Sequence, residues 1–199
     1  MRALLVICHP VPDSLNRHLA QVAHDAAVAA GAEVEVLDLP AIDFDPRLRA
    51  EERAGYYADA ADLSDPALVP LARQLQQAEL LILVFPTWWF GFPAIMKGWF
   101  DRVWRPGITF EHSPDLDRLI PRLDRLRHVV AITTMGSPRW IDWLVLRQPL
   151  RRVLRWSILK PCAPKARLHW LALHQAETVT PARAARFADR IRARIAGLR

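Results

Sequence analysis

LLILVFPTWWFGFPAIMKGWFDRVW, residues 80–104, places a wholly apolar run, a ring-rich loop and a helix-like segment in immediate succession. Leu80 to Phe85 carries no polar side chain, the pattern of a short strand covered on both faces. Pro86 ends it, since proline cannot continue a central ladder. The loop Thr87-Trp88-Trp89-Phe90-Gly91-Phe92-Pro93 follows, and Ala94 to Trp104 then reads as a helix. A buried strand feeding an exposed loop and a helix is the layout of a ligand site at a strand's carboxyl end. Large rings on a surface loop suit a flat, largely apolar ligand.

The same alternation extends outward in both directions. Ala3 to Cys8 is a second apolar run, followed by the proline-stiffened loop His9-Pro10-Val11-Pro12-Asp13. Ser14 is placed to cap a helix whose apolar positions include Leu15, Leu19, Val22 and Ala26, and Gly31 stops it. Glu33 to Leu37 alternates into a strand, which completes a β-α-β unit with a right-handed crossover. Asp43 to Asp65 is irregular, with Ser64-Asp65-Pro66 as a helix start, and a helix is expected from Pro66 to Gln77. Pro106 to Asp124 reads as loop, broken by Gly107, Pro114 and Pro121. His128 to Thr134 is the fourth strand, and Trp140 to Lys160 is helical in tendency but split or kinked by Pro149. Ala166 to Leu173 is the fifth strand, and Thr180-Pro181 opens a closing helix.

Strands and helices alternating five times with no repeat or linker point to one α/β domain over residues 1–199, a parallel sheet between two helical layers. The expected architecture is a flavodoxin-like three-layer α/β/α sandwich with strand order 2-1-3-4-5. That order brings the ends of strands 1, 3 and 4 to one switch point. Three loops meet there: His9–Asn16, Pro86–Phe92 and Thr133–Trp140.

Composition narrows the function. No apolar run reaches the roughly 18 residues of a membrane span, and MRALLVICHP reads as a first strand, so a cytoplasmic location is expected. Two cysteines, Cys8 and Cys162, form no disulfide framework and have no metal-like spacing. No metal site is expected. The net charge of +6, supplied almost wholly by arginine, favours anionic partners. No nucleic-acid-binding motif accompanies it, so nucleic acid is not an expected partner.

The first loop has neither a dinucleotide glycine fingerprint nor a Walker pattern. It offers the Ser14 hydroxyl, the Asn16 amide and backbone N–H groups at a helix N-terminus, a setting for an anion, with His9 beside it. The second loop supplies a flat aromatic shelf, and the third two hydroxyls and a glycine, Thr133-Thr134-Met135-Gly136-Ser137. One ligand that is flat at one end and phosphorylated at the other satisfies all three. A flavin nucleotide has that shape.

HPVPDSLN after the first strand and FPTWWFGFPAIMKGWFDRVW after the third resemble the NAD(P)H:quinone oxidoreductases of the flavodoxin-like fold. The resemblance runs from Ala3 through the closing helix, and the second motif is the long and specific one. It implies a flavoenzyme, a homodimer, that takes hydride from NADH or NADPH and passes it to a quinone-like acceptor by a ping-pong route. It implies that His9, Ser14, Leu15 and Asn16 bind the flavin's phosphate and ribityl portion. Pro86, Thr87, Trp88, Trp89, Phe90 and Gly91 would line the isoalloxazine, and Thr133, Thr134 and Gly136 its pyrimidine edge. The Ser14–Asn16 loop matches a diphosphate-binding pattern, which favours FAD over FMN.

The sequence departs from the family pattern at the third loop. The family's TTGG stands as Thr133-Thr134-Met135-Gly136, and the Tyr and His that some members place beside the flavin fall at Ile141 and Arg147. Arg139 or Arg147 is therefore expected to stabilise the reduced flavin's charge instead. A second reading follows from short relatives associated with potassium-efflux membrane proteins. In that reading the chain is an ancillary subunit, and the basic, Trp-bearing stretch Leu146 to Lys160 contacts a membrane partner or an acidic lipid surface.

Overall fold

The computed structural model describes residues 1–57, 65–115 and 117–198. Five parallel strands form the main sheet in the order β2-β1-β3-β6-β7. They are β1 (Arg2–Ile7), β2 (Glu33–Asp38), β3 (Leu80–Pro86), β6 (His128–Thr134) and β7 (Arg167–Leu173). This is the expected 2-1-3-4-5 order, and β3 is central, paired with β1 on one side and β6 on the other.

The apolar runs of β1, β3 and β6 are explained by what covers them. Leu4 and Val6, Leu81, Leu83 and Phe85, and Val129 and Ala131 point into one core layer. That layer also holds side chains of α3 (Leu68–Gln77) and α4 (Ala94–Val103). Leu5 and Ile7, Ile82 and Val84, and Val130 and Ile132 point into the other, against α1 (Leu15–Ala29) and α7 (Pro181–Ala196). Successive side chains of a strand face opposite sides, so a strand with helices on both faces has no polar position. Burying a Leu, Ile, Val or Phe side chain contributes about 1.5–3 kcal/mol. A polar substitution at Ile82 or Leu83, each fully buried, would forfeit that and strand a polar group.

The helix ends follow their local chemistry. Ser14 caps α1, its hydroxyl accepting from Arg17 N at 3.2 Å. At the other end Gly31 takes φ +80°, its N–H donating to Val28 O while Ala32 N donates to Ala27 O. That pair of bonds is the Schellman motif, which favours glycine because the left-handed backbone clashes with a Cβ.

Four segments differ from the sequence expectation. The helix expected from Pro66 begins at Leu68, and Asp65 Oδ1 accepts from Ala67 N ahead of it; Ser64 lies outside the described residues. The irregular stretch contains a short helix, α2 (Ala50–Ala54). Residues 106–124 contain a hairpin of β4 (Phe110–His112) and β5 (Leu119–Pro121). Three-residue strands are too short for alternation to show.

The helical tendency of Trp140 to Lys160 is divided as expected, but the break precedes the proline. Ile141–Val145 winds as a π-helical turn. Arg147 and Gln148 then take φ +57° and +53°, and Pro149 starts a new helix, α5 (Pro149–Arg152). A proline disfavours helical backbone in the residue before it and fits the first helical turn itself. A second π-helical stretch, Val153–Leu159, runs into α6 (Lys160–Cys162). Among the described residues no helix is long and apolar enough to cross a membrane.

Candidate functional site

The carboxyl ends of β1, β3 and β6 are stitched together by hydrogen bonds that run past the strands. Cys8 N donates to Val84 O at 3.1 Å, and Thr87 N donates to Thr134 O at 2.7 Å. The Thr87 and Thr133 hydroxyls lie 2.7 Å apart, and Asn16 Nδ2 donates to Thr134 Oγ1 at 3.4 Å. Asn16 at the start of α1, Thr87 just past β3, and Thr133 and Thr134 at the end of β6 therefore form one cluster. Asn16 is only 2% exposed, yet its Oδ1 has no hydrogen-bond partner. An acceptor buried without a donor costs about 1–3 kcal/mol. In a functional cleft such an atom marks the place where a ligand's hydroxyl or N–H belongs.

The first loop is held rigidly around this cluster. Arg17 Nε donates to His9 O at 3.1 Å, and its guanidinium forks onto both carboxylate oxygens of Asp38 at the end of β2. His9 Nδ1 accepts from Val11 N at 3.2 Å, which assigns the proton of a neutral ring to Nε2 and leaves that atom a donor. The Arg17 amide is occupied by the Ser14 cap, whereas the first-turn amides of Leu15 and Asn16 have no acceptor among the described residues. Free amides at the start of a 15-residue helix attract an anion. Cys8 adjoins the loop but is no nucleophile. Burial, and secondarily the charge of Asp38, pushes its thiol far above the ordinary range.

The aromatic loop is a tight two-residue turn. Trp88 N donates to Gly91 O at 3.2 Å and Gly91 N to Trp88 O at 2.9 Å. The two residues at the tip, Trp89 and Phe90, both have left-handed backbones, φ +50° and +57°. Asn-Gly is the usual occupant of such a turn. Bulky residues there are strained by about 1–2 kcal/mol each. Trp88 is 50% exposed and Trp89 100%. Strain combined with complete exposure of an indole is intelligible at a ligand surface and costly anywhere else. Phe92 belongs to the anchor rather than the shelf, packing on Phe85 and Phe100 at ring separations of 5.5 and 5.1 Å.

The third loop is the least like its expectation. Met135 is buried and its N–H donates to Leu173 O. Gly136 is exposed with Glu177 beside it, a Cβ at that glycine falling 2.9 Å from Glu177 Oε1. Arg139 stacks on Trp143 at 4.3 Å, and Arg147 is exposed in the left-handed kink. A buried pair absent from the sequence reading lies behind this loop. His174 Nε2 and Asp142 Oδ2 are 3.2 Å apart, joining the π-helical turn to the end of β7. Arg183 adds a bond to His174 O at 2.6 Å. The pair spans 32 positions of chain, and nothing in either local sequence announces it. Glu177, likewise, lies in a 3-10 turn that carries no motif.

Comparison with known proteins bears on the fold as a whole. The family described as the flavodoxin-like fold matches residues 1–194. NAD(P)H dehydrogenase [quinone] 1 of Cavia porcellus is 33% identical over 150 residues, which cover 68% of this chain and 54% of that protein. The chain thus spans about half the length of this curated relative. Smu.1420 of Streptococcus mutans UA159 superposes with a TM-score of 0.82 at 25% identity, over 100% of both chains. A putative quinone reductase from Klebsiella pneumoniae gives 0.81 at 26% identity, covering 98% of this chain and 83% of that one.

Proposed function

The chain belongs to the flavodoxin-like fold family, and we propose that it is a flavin-dependent NAD(P)H oxidoreductase with a quinone-like acceptor. The observation that carries this reading is the unpartnered, buried Oδ1 of Asn16. It belongs to a residue in the first turn of α1 whose Nδ2 donates to the Thr134 hydroxyl, beside the free amides of Leu15 and Asn16. A polar, hydroxyl-rich ligand segment supplies the missing donor. The free amides of Leu15 and Asn16, the Ser14 hydroxyl and His9 Nε2 take its phosphate. Pro86, Thr87, Trp88, Trp89, Phe90 and Gly91 present the flat surface for an isoalloxazine, and Thr133, Thr134 and Gly136 face its polar edge.

A flavin held there supplies the hydride chemistry, while the protein contributes position and electrostatics. The amides of Trp89 and Phe90 have no acceptor among the described residues and are available to ring heteroatoms. Arg147, in the left-handed kink beyond the third loop, is the cation offered to negative charge on the reduced ring, whereas Arg139, stacked on Trp143, lines the cleft beside α7. NADH or NADPH and the acceptor use the same open face in turn, in a ping-pong order. FAD is favoured over FMN by the loop around Ser14. A homodimer is favoured by the exposed apolar side chains Trp140, Leu144 and Val145, of which Leu144 is 75% exposed.

The test is uptake of cofactor. The purified protein should be yellow or become so on incubation with FAD or FMN, and acid release should identify the nucleotide. Asn16→Leu should weaken binding by about tenfold or more while leaving the fold intact. NADPH or NADH should bleach the bound flavin in stopped flow, and Arg147→Met should slow that reduction. A protein that takes up neither flavin would overturn the reading.

A further inference from the structure

Behind the third loop, at the open edge of the sheet, β7, α7 and the segment after β6 enclose a cleft of about 510 Å³. Four guanidinium groups line it: Arg139 from the segment after β6, and Arg183, Arg186 and Arg190 from α7. Spacings of three and four place the three helix residues on one face of α7, where like charges repel. Among the described residues none of the four has a carboxylate partner. Asp189, next to Arg190 in sequence, is engaged by Arg192 at 2.7 Å, and Asp142, three residues from Arg139, by His174. Arg139 and Arg190 instead stack on Trp143 and Phe187, at 4.3 and 5.4 Å from the ring centroids, and Arg183 holds His174 O. Stacking and a carbonyl bond orient a guanidinium without neutralising it, so its remaining donors stay available.

We propose that this cleft is a second binding site, separate from the cleft around Asn16, for a phosphorylated small molecule. Guanidiniums from two walls of the cleft match a phosphate's oxygens, and the half-exposed indole of Trp143 accepts a ring or apolar moiety attached to it. The third loop is shared between the two sites. Gln175 N donates to Ser137 O at 3.2 Å and Met135 N to Leu173 O at 2.9 Å, so the backbone of this loop stands between them. Occupancy of the arginine cleft therefore bears on the segment that carries Thr134 and Gly136.

Calorimetric titration with inorganic pyrophosphate and with AMP, at low and moderate salt, tests the proposal. The protein is used as purified and again after saturation with FAD. Saturable binding is expected in both preparations, weakening with salt. Arg186→Ala/Arg190→Ala should lose about tenfold or more in affinity, the scale of lost charge-assisted hydrogen bonds. Its melting temperature should not fall, because like charges are removed. Arg192→Ala, the same helix with the same charge change per site but outside the cleft, should bind as the wild type does. Absence of saturable binding, an equal loss in Arg192→Ala, or abolition of binding by FAD would each overturn it. The FAD arm also keeps this result distinct from the flavin assignment, which cofactor uptake alone decides.

Discussion

Gly98 lies on α4, downstream of the aromatic turn, and the chain at Pro46 fills the space its missing side chain leaves. A Cβ built at Gly98 would fall 2.3 Å from both Pro46 Cα and Pro46 O, and 2.4 Å from Pro46 Cβ. Backbone atoms cannot rotate away, so Gly98→Ala must displace segment 45–47 by roughly an ångström. Overpacking of this kind costs about 1–3 kcal/mol, and a contact this short belongs at the upper end. Alanine returns about 1 kcal/mol of helix propensity. The expected net loss is therefore about 2 kcal/mol, or roughly 4–8 °C in melting temperature for a chain of this size. Arg102, one turn further along α4, donates to Asp45 O at 2.6 Å, so moving this segment also disturbs that bond. A urea-denaturation cycle with Gly98→Ala, Arg102→Met and the double variant should show the two losses to be less than additive. A Gly98→Ala protein as stable as the wild type, or strict additivity, would refute the reasoning.

Arg102 itself is buried and holds Glu52, also buried, at 2.9 Å, together with Asp65 at 2.7 Å. Arg102→Met strands the Glu52 carboxylate and should cost about 3–5 kcal/mol. Adding Glu52→Met should restore part of that loss in the same denaturation assay. Replacing Trp89-Phe90 by Asn-Gly supplies the residues their left-handed backbones favour. It should raise stability by about 1–2 kcal/mol while weakening flavin uptake, an opposition that melting and flavin titration read separately. Burial raises the Cys162 thiol to about 11 and Cys8 higher still. Neither cysteine should react with a thiol reagent at pH 8 until the protein is denatured. The sign follows from raised folded-state values: the stabilisation is complete below the ordinary thiol range and is lost as pH climbs through it towards 11. Cys162→Ala should flatten that alkaline decline in a melting-temperature profile.

The sheet and its order were legible because they rest on local rules. A strand covered on both faces must be apolar throughout, and Leu80–Phe85 and Ala3–Cys8 say so in a few residues each. The three loops followed from strand order alone, since parallel strands place all their carboxyl ends on one side. Asn16 was singled out as a polar group near a helix start. Only the fold shows that it is buried, bonded to Thr134 118 positions away, and left with an idle acceptor.

The short elements were not legible. Strands of three residues in the β4–β5 hairpin and a five-residue α2 offer too few positions for a period to register. The break before Pro149 was visible, but not that Arg147 and Gln148 would absorb it. Within the chain by itself, then, lay the layers, the strand order and the loops that gather at the strands' carboxyl ends. Tertiary structure decided the fit of Gly98 against Pro46, the burial of Arg102 with Glu52 50 positions away, the Asp142–His174 clasp and the convergence of Arg139 with the arginines of α7. Patterning reports which face of an element is dry. Which charges meet across two elements depends on how the elements pack, and no spacing along the chain encodes that. The exposed indole of Trp89 shows both sides: its composition marked a shelf, and its left-handed backbone, fixed by the Trp88–Gly91 bonds, reveals the strain that keeps it presented.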